Sequence, residues 1–532
     1  MFACLGRVCS LRLLALLLYF GFFQGRDLRH SFTDNGIDQM RSLFLAAALG
    51  FAAFAGQAQA ANNCDLTGIT DADWLMPDPT TLGEIPNGTS ANNCDFHIFS
   101  WRWFNYLMNP LNSDMRNFEN RAVHPLVDAD TCTSVQAGNM VDVAHRGLAT
   151  SVMKLPDIPG QAGPGDALYD KDGNIVFYSR NFTVNECDVD PSGNFHDPGA
   201  PNPNFPTGLD QTVELKVAWR VLDASMDNST YYTIQSEIEG IGPMLLGMVG
   251  FHIVVNTADH PEFVWATFEH VTNTPNCTVV TGTGGFDRPQ PSDGWTFLGE
   301  TCNACVAQNF SNGTDLNSVC SAECAFNDNA TKPVLDALGN VEISGTPSNI
   351  CLDQYYGTPD PTQGSGLQNV ENIQYLNTLL VGPGGIMTSL PDSDAMAVFK
   401  NYFLAGAVWT DFTKLKAPTD PFDDALTASI GLANSTLESF TQAGAGFDKG
   451  CFTCHGGATS TNTAAASHLL DFNGAPGLIN RCDVKAGPIF NQSQAETICP
   501  ATCTGEGNAW NGNWTTIATE MSVCGCNTCV AN

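Results

Sequence analysis

Apolar runs typical of β-strands dominate the chain between residues 61 and 275. Four of them, rich in Val, Ile, Tyr, Phe and Trp, predict strands at residues 213–222, 231–238, 244–256 and 262–271. The first of these fits a helix equally well. Residues 96–106 (FHIFSWRWFNY) are dense in aromatic side chains and predict a buried helix. Loops rich in Pro, Gly, Asn and Asp separate these segments, so residues 61–275 are predicted to form one β-rich domain.

The pattern changes after residue 275. Residues 276–365 carry few large apolar side chains and hold six cysteines, namely Cys277, Cys302, Cys305, Cys320, Cys324 and Cys351. This composition is typical of a disulfide-stapled insertion. The C-x-x-C and C-x-x-x-C spacings also fit a zinc site. Disulfides are favoured because the N-terminus, described below, predicts export.

Residues 366–475 predict a helical domain. Apolar side chains recur at three- and four-residue steps over residues 368–380 and 393–412. Ser435 and Glu438 have the spacing of a capping box, which predicts the start of a further short helix.

Two short apolar runs, at residues 11–23 and 43–55, precede the β-rich segment. The second follows Met40-Arg41 and leads to Ala58-Gln59-Ala60, which matches a secretory signal peptide with its cleavage site. We interpret residues 1–39 as a mis-assigned extension and 40–60 as the signal peptide; the alternative is a genuine extension with a membrane anchor. No run after residue 60 is long enough for a bilayer span. The mature chain is therefore predicted to be periplasmic or secreted, in a bacterium.

The chain is strongly acidic, with a formal net charge of −33 at pH 7. Removing residues 1–60, which hold five Arg and three Asp, lowers this charge to −35. Nucleic-acid binding is excluded because it needs Lys and Arg against phosphate. Eighteen cysteines follow residue 60. Two of them belong to a motif at residues 451–455 that the next paragraph describes, and the remaining sixteen suit disulfides in an oxidising compartment.

Residues 451–455 (CFTCH) have the C-x-x-C-H spacing of covalent c-type haem attachment. Cys451 and Cys454 can reach the two vinyl groups of one porphyrin, and His455 can ligate the iron. The alternative is a Cys451–Cys454 disulfide beside an idle histidine. Six aromatic residues fit either a haem pocket or a core: Phe399, Phe403, Trp409, Phe412, Phe440 and Phe447.

The sequence leaves three alternatives for the second ligand of the iron. Common soluble cytochromes place a methionine downstream, whereas Met521 is the only later methionine here and lies in another module. His468 would give a bis-His iron of low potential, and Met387 or Met396 a Met/His iron of higher potential. An open position would allow peroxide or small-ligand chemistry.

Three histidines, His252, His260 and His270, share one β-rich stretch with Glu262 and Glu269. A second metal site is conceivable there. Structural roles are favoured because no tight spacing such as H-x-x-x-H occurs.

Two stretches that precede the haem motif resemble a group of known proteins. Residues 250–275, together with 432–438 (LANSTLE), resemble a group of large exported bacterial proteins that carry one c-type haem. The resemblance covers roughly residues 90–475. It implies a cytochrome c family protein with one covalent haem c, and it implies no particular reaction.

The C-terminus carries a second set of motifs. VKAGPIFN at residues 484–491 is followed by Gln494-Ala495, then by NWTT at 513–516 and MSV at 521–523. In this order the blocks resemble the mannan-binding lectin family of the cyanobacterial, oligomannose-binding type, over residues 482–526. The resemblance implies contacts to a mannose-containing glycan from Phe490, Asn491, Gln492, Trp514, Thr515 and Thr516.

These residue types suit a sugar, because an aromatic face covers the C–H side of a pyranose and polar groups bind its hydroxyls. The chain departs from the family in three ways. Phe490 stands where Trp is usual, Asn513 stands where Gln is usual, and one copy of the repeat is present instead of two. Binding should therefore be weaker unless the chain oligomerises.

Together the patterns predict an α+β multidomain fold. Its parts are a β-rich portion at 61–275, a cysteine-rich insertion at 276–365, a helical haem c domain at 366–475 and a small α+β lectin-like module at 480–532. The predicted function is electron transfer through one covalent haem c to an unidentified partner, with binding to a mannose-containing glycan. An electron carrier is favoured over two alternatives: an oxidoreductase acting on a sugar or peroxide at an open haem, and an adhesin with a structural haem.

Overall fold

The computed structural model describes residues 62–124, 167–183, 212–327, 344–411, 425–442 and 483–526. Short gaps interrupt these ranges at 89–90, 114, 121–122, 224–225, 239–241, 261–262, 281–285, 287, 359–360, 362–363, 488, 490–491, 506–509 and 519–520. The predicted leader and the C-x-x-C-H motif lie outside the described residues.

Seven antiparallel strands form the main sheet. They are β1 Val176–Phe182, β2 Val213–Leu222, β3 Thr233–Ile238, β4 Gly242–Val255, β5 Val264–His270, β6 Tyr402–Thr410 and β7 Leu426–Ala428. Their order is β1-β2-β4-β5-β6-β7, and β3 pairs with the first part of β4. The four strands predicted between residues 213 and 271 are confirmed, and the segment that fits helix or strand equally well is strand β2.

Side chains of β2 alternate between two covered faces of the sheet. Leu215, Val217 and Trp219 belong to the large hydrophobic core, whereas Ala218 and Leu222 belong to a smaller cluster. Because successive side chains of a strand point to opposite faces, these two clusters lie on opposite sides of the sheet.

Helix α1, Asp71–Leu75, contacts helix α2, Asn93–Met108. Helix α2 covers the sheet face that carries the large hydrophobic core, and it confirms the buried helix that the aromatic run predicts. Asn92 forms a capping box with Asp95 at the start of α2. The ring of Phe104 on α2 stacks on an aromatic ring of β5, with centroids 4.1 Å apart.

Helix α3, Glu300–Asn309, and helix α4, Leu316–Val319, lie in the cysteine-rich segment. Three disulfides cross-link this segment, Cys277–Cys351, Cys302–Cys324 and Cys305–Cys320. The predicted disulfides are confirmed, and the zinc alternative for these cysteines is wrong.

Helix α5, Gly364–Val381, packs beside α2 and confirms the helix predicted over residues 368–380. The helix predicted over residues 393–412 is wrong. A 3-10 turn at Ala397–Asn401 leads there into β6, which pairs with β5 and β7. Every residue of β6 is buried, and a strand buried on both faces gives a continuous apolar run instead of an alternating one.

The predicted fold class, an α+β multidomain chain with a separate helical haem domain, is therefore wrong. The described part of residues 366–475 contributes β6 and β7 to the sheet that β1–β5 begin. The larger part of the described chain is one antiparallel sheet with few helices.

Residues 483–526, which we call the C-terminal module, form a second sheet. Its strands are β8 Asp483–Gly487, β9 Trp510–Ala518 and β10 Met521–Cys526, in the antiparallel order β8-β10-β9. Helix α6, Gln492–Gly505, packs on all three strands. The module has its own small core of Ile489, Ala495, Cys499, Cys503 and Cys524. A Cys499–Cys524 disulfide links α6 to β10.

Cys64–Cys94 is a further disulfide, which ties the chain before α1 to α2. Disulfides such as these form in oxidising compartments, in agreement with the predicted export. Among the described helices, none combines the length and the apolar character needed to cross a bilayer.

Candidate functional site

The residues predicted to hold haem, Cys451, Cys454, His455 and His468, lie outside the described residues. The described segment that precedes them is residues 425–442, and we call its part at 429–442 the arm. Leu437 of the arm packs in the cluster on the sheet face opposite α2. The arm therefore lies on the sheet face opposite α2, and the motif follows it in the sequence.

Glycine allows the arm to lie directly against its neighbours. A Cβ at Gly250 on β4 would overlap the Thr436 hydroxyl and would lie 2.8 Å from Asn434 Oδ1. Gly357 has a φ of +62°, and a Cβ there would lie 2.7 Å from the Leu432 Cα. Both positions exclude a side chain, and Gly357 also adopts a conformation that favours glycine.

Asn434 joins the arm to β5. Its Nδ2 donates to Thr267 Oγ1 at 2.7 Å and to the Phe268 carbonyl at 3.0 Å. Its Oδ1 accepts from the backbone amide and the hydroxyl of Thr436, at 2.9 and 2.7 Å. All four hydrogen-bonding positions of this buried amide are used, which fixes the direction of the arm.

Glu269 of β5 is the second anchor of the arm. Its carboxylate accepts the Ser435 amide at 2.9 Å, the Ser435 hydroxyl, and Nδ2 of Asn273 at 3.4 Å. Burial raises the pKa of Glu269 above its ordinary value, although Arg288 and these hydrogen bonds act in the opposite direction. Glu269 therefore holds its proton more firmly than an exposed glutamate does.

Glu438 ties the arm to β4. Its Oε1 lies 2.8 Å from Nε2 of His252, and its Oε2 accepts the Asn434 amide at 2.9 Å. Burial alone would raise the pKa of Glu438, but His252, Lys216 and the Asn434 amide outweigh it, so this pKa is lowered. The two carboxyl groups that hold the arm therefore have pKa shifts of opposite sign.

The helix predicted to begin at Ser435 is wrong, because residues 435–442 form turns and bends. In a capping box Glu438 would accept the Ser435 amide. Here it accepts the Asn434 amide, and the Ser435 amide donates to Glu269. A carboxylate distant in sequence has replaced the local partner.

The aromatic residues expected around the haem lie in the core where they are described. Trp409 stacks on Phe96 of α2 with ring centroids 3.8 Å apart. The Arg288 guanidinium lies over the ring of Phe403, 4.9 Å from its centroid. Phe399 and Phe440 are buried as well, and Phe412 and Phe447 lie outside the described residues.

The two methionines considered as iron ligands belong to the same large core. Met387 is fully buried, and Met396 is 4% exposed with its sulfur 4.0 Å from Nη1 of Arg116. Both side chains are thus packed inside the sheet domain.

The three histidines of the β-rich stretch have separate surroundings. His252 pairs with Glu438, and His260 lies edge-on to an aromatic ring of α2. Nε2 of His270 donates to the Thr230 carbonyl at 3.0 Å, and burial lowers the pKa of His270 to about 3. Over the described ranges, no three His, Cys, Asp or Glu side chains are grouped so as to hold a metal ion.

Gly250, Glu269 and Asn434 are the residues of this site whose roles sequence reasoning missed. A partial signal existed, because residues 250–275 and 432–438 are the two stretches that resemble haem-bearing proteins. The structure shows that these stretches contact each other through Gly250, Glu269 and Asn434.

On the C-terminal module, Trp514 lies on β9 and is partly exposed beside the small core. Gln492 begins α6, and Thr515 and Thr516 follow Trp514 on β9. Phe490 and Asn491 lie outside the described residues. The start of α6 and strand β9 belong to one small helix-and-sheet unit, so these positions share the module.

Residues 492–526 match the family model described as mannan-binding protein. The match covers α6, β9 and β10 and includes no strand of the main sheet. It supports the prediction of a lectin-like C-terminal module. No curated protein and no solved structure matches the chain.

Proposed function

We propose that the C-terminal module binds a mannose-containing glycan. The match of residues 492–526 to the mannan-binding family model carries this proposal. Trp514 would stack on the C–H side of a pyranose, because a partly exposed indole offers an apolar face to the apolar side of the sugar ring. The remaining contacts that we propose are Phe490, Asn491, Gln492, Thr515 and Thr516.

A glycan array probed with the full-length exported protein tests this. We expect retention on oligomannose glycans and its loss in Trp514→Ala. Tyr375→Ala removes a ring on α5 that is 37% exposed, and this control should bind normally. If the unsubstituted protein binds none of the glycans on the array, glycan binding is refuted.

We further propose that the chain carries one covalent haem c and transfers electrons through it. The C-x-x-C-H motif carries this proposal: Cys451 and Cys454 would hold the haem through thioethers, and His455 would ligate its iron. The haem would supply a one-electron carrier.

The described arm limits where the haem could lie, because the chain that precedes the motif is held at a fixed point. Gln442 is buried, and its Oε1 accepts the Asp353 amide at 3.1 Å. Cys451 follows nine residues later, a length of chain that spans at most about 32 Å. The first thioether would therefore form within that distance of Gln442.

We propose that His468 would be the second protein ligand of the haem iron. Met387 and Met396 are enclosed by the core of the sheet domain and would have to leave it to meet an iron held after residue 442. His468 follows the motif closely in sequence. A bis-His iron has a lower reduction potential than a Met/His iron.

A pyridine haemochrome spectrum of the exported protein tests the haem. We expect a c-type α-band, and we expect the Cys451→Ala/Cys454→Ala variant to lack it. The control Cys302→Ala/Cys324→Ala removes one complete disulfide elsewhere and should keep the band. A wild-type protein without the band would leave a glycan-binding adhesin and end the haem proposal.

Spectra recorded with and without cyanide separate the two haem functions. A six-coordinate bis-His electron carrier should show no change. A cyanide-induced shift would indicate an open iron and favour an oxidoreductase that acts on a sugar or peroxide.

A further inference from the structure

An irregular pairing between β9 and β10 brings two tryptophans together. Trp514 is opposite Cys524, and Trp510 is opposite Cys526, with a register shift between these two cysteines. Four residue steps on β9 therefore match two steps on β10. Two steps span about 7 Å, whereas four steps of a regular strand span about 13 Å. The bulge in β9 thus shortens the separation of Trp510 and Trp514 along the sheet.

Both tryptophans lie on the same side of the module. Residues directly opposite each other in an antiparallel pair project from the same face. Cys524 is buried in the small core and bonded to Cys499 of α6, which defines that face. Trp510 and Trp514 pack against this core, and each is partly exposed. Two partly exposed indole rings therefore contact the same small core.

The backbone between the two tryptophans lies at the edge of the sheet. β9 is an edge strand, since the described order is β8-β10-β9. Between the two paired positions β9 has three residues, Asn511, Gly512 and Asn513, whereas β10 has one, Gly525. A bulge leaves its extra residues unpaired in the ladder, and backbone N–H and C=O groups are among the polar contacts of ligand sites.

We propose that Trp510 and Trp514 form a twin stacking surface for two adjacent pyranose rings. The module would then recognise a disaccharide or a longer glycan in preference to a single sugar. A separation of about 7 Å is on the scale of one pyranose with its linkage, whereas about 13 Å is too wide for two directly linked rings. The inference rests on the proposed glycan binding and extends it, because a longer contact offsets the weak binding expected of one module copy.

Fluorine NMR of the full-length protein labelled with 5-fluorotryptophan tests the inference. Trp510→Phe and Trp514→Phe assign the two resonances, and methyl α-mannoside and α-mannobiose are the probes. We expect mannobiose to shift both resonances and methyl mannoside to shift one. Mannobiose should also bind roughly three- to tenfold tighter, the range expected for one added aromatic contact. Trp510→Leu should remove this preference, and Tyr375→Ala should keep it.

The outcomes separate this inference from the glycan proposal. A Trp510 resonance that does not move at saturating mannobiose overturns the twin surface while sugar binding at Trp514 stands. Equal affinity for the two sugars does the same. If neither resonance responds to any sugar, both ideas fail. Should Trp510→Leu lose its folded signal dispersion, the titration of the unsubstituted protein still decides.

Discussion

Gly250 sets how closely the arm approaches β4. An alanine there places a methyl group against the Thr436 hydroxyl and Asn434 Oδ1, and overpacking of this kind costs about 1–3 kcal/mol. We expect Gly250→Ala to lower the free energy of unfolding by about that amount in urea titrations. Because the hydroxyl is the nearest atom, the double variant Gly250→Ala/Thr436→Ala should recover part of the loss. An unchanged stability in Gly250→Ala would show that the arm does not rest on β4.

Glu438 and Glu269 should respond to pH in opposite ways. The pKa of Glu438 is lowered in the folded state, so its stabilising contribution is complete above the ordinary value of 4.5 and is lost as the pH falls below it. The pKa of Glu269 is raised, so the folded state favours its protonated form. Its contribution therefore grows as the pH falls through the raised pKa toward 4.5.

Urea unfolding at pH 7, 4.5 and 3 tests these directions. We expect Glu438→Gln to lose about 2 kcal/mol at pH 7, because the hydrogen bonds with His252 and the Asn434 amide lose their charged acceptor. The variant should also show less acid loss between pH 4.5 and 3 than the unsubstituted protein. Glu269→Gln should lack the gain between pH 7 and 4.5. Each variant serves as the control for the other, and identical pH profiles of all three proteins would contradict both assignments.

At the scale of elements, local signals decide what the sequence predicts. Helix α2 carries its cap and its aromatic pattern within a few residues, and strands β2–β5 carry their own β-branched and aromatic runs. These elements are predicted correctly. β6 is missed because burial on both faces removes the alternation that marks a strand. The arm is missed because Glu269 precedes Ser435 by 166 residues, and a pattern within the arm does not report so distant a partner.

The candidate sites differ in the same way, since some of their features are local in the sequence and others depend on strand pairing. The haem motif and the lectin-like blocks are short patterns with fixed spacing, so the sequence predicts them. The short separation of Trp510 and Trp514 is not predicted, because a strand with regular pairing would place them four steps apart. Only the register between β9 and β10, in which four steps on β9 match two on β10, indicates the shorter separation.

A substitution of Trp409 tests whether its side chain packs in the core of the sheet domain or lines a haem pocket. It lies on β6 and stacks on Phe96 of α2, so its removal should leave a large cavity. We expect Trp409→Ala to lower the free energy of unfolding by about 3–5 kcal/mol and to leave the haem absorption bands unchanged. Denaturant titration and visible spectra of the same sample measure both quantities. Altered haem bands with unchanged stability would instead place Trp409 in the haem pocket.

At the scale of the whole molecule, the two sheets have cores with no residue in common. The C-terminal module spans the 44 positions from residue 483 to residue 526. At this size a hydrophobic core alone gives little stability, and disulfides are usually needed. We therefore expect the module to depend on its Cys499–Cys524 bridge much more than the main sheet depends on any single one of its disulfides.

Calorimetry of the full-length protein, together with retention on immobilised mannobiose, measures this dependence. Cys499→Ala/Cys524→Ala opens a loop with a sequence separation of 25, which removes about 3 kcal/mol of stability. That loss should unfold the module and abolish retention, while the transition of the main sheet stays in place. The matched control Cys302→Ala/Cys324→Ala opens a loop of separation 22 and should lower only the main transition, with retention intact. A single transition that both variants shift equally would mean that module and sheet unfold as one unit, and the module could then not be treated as an independent glycan-binding part of the chain.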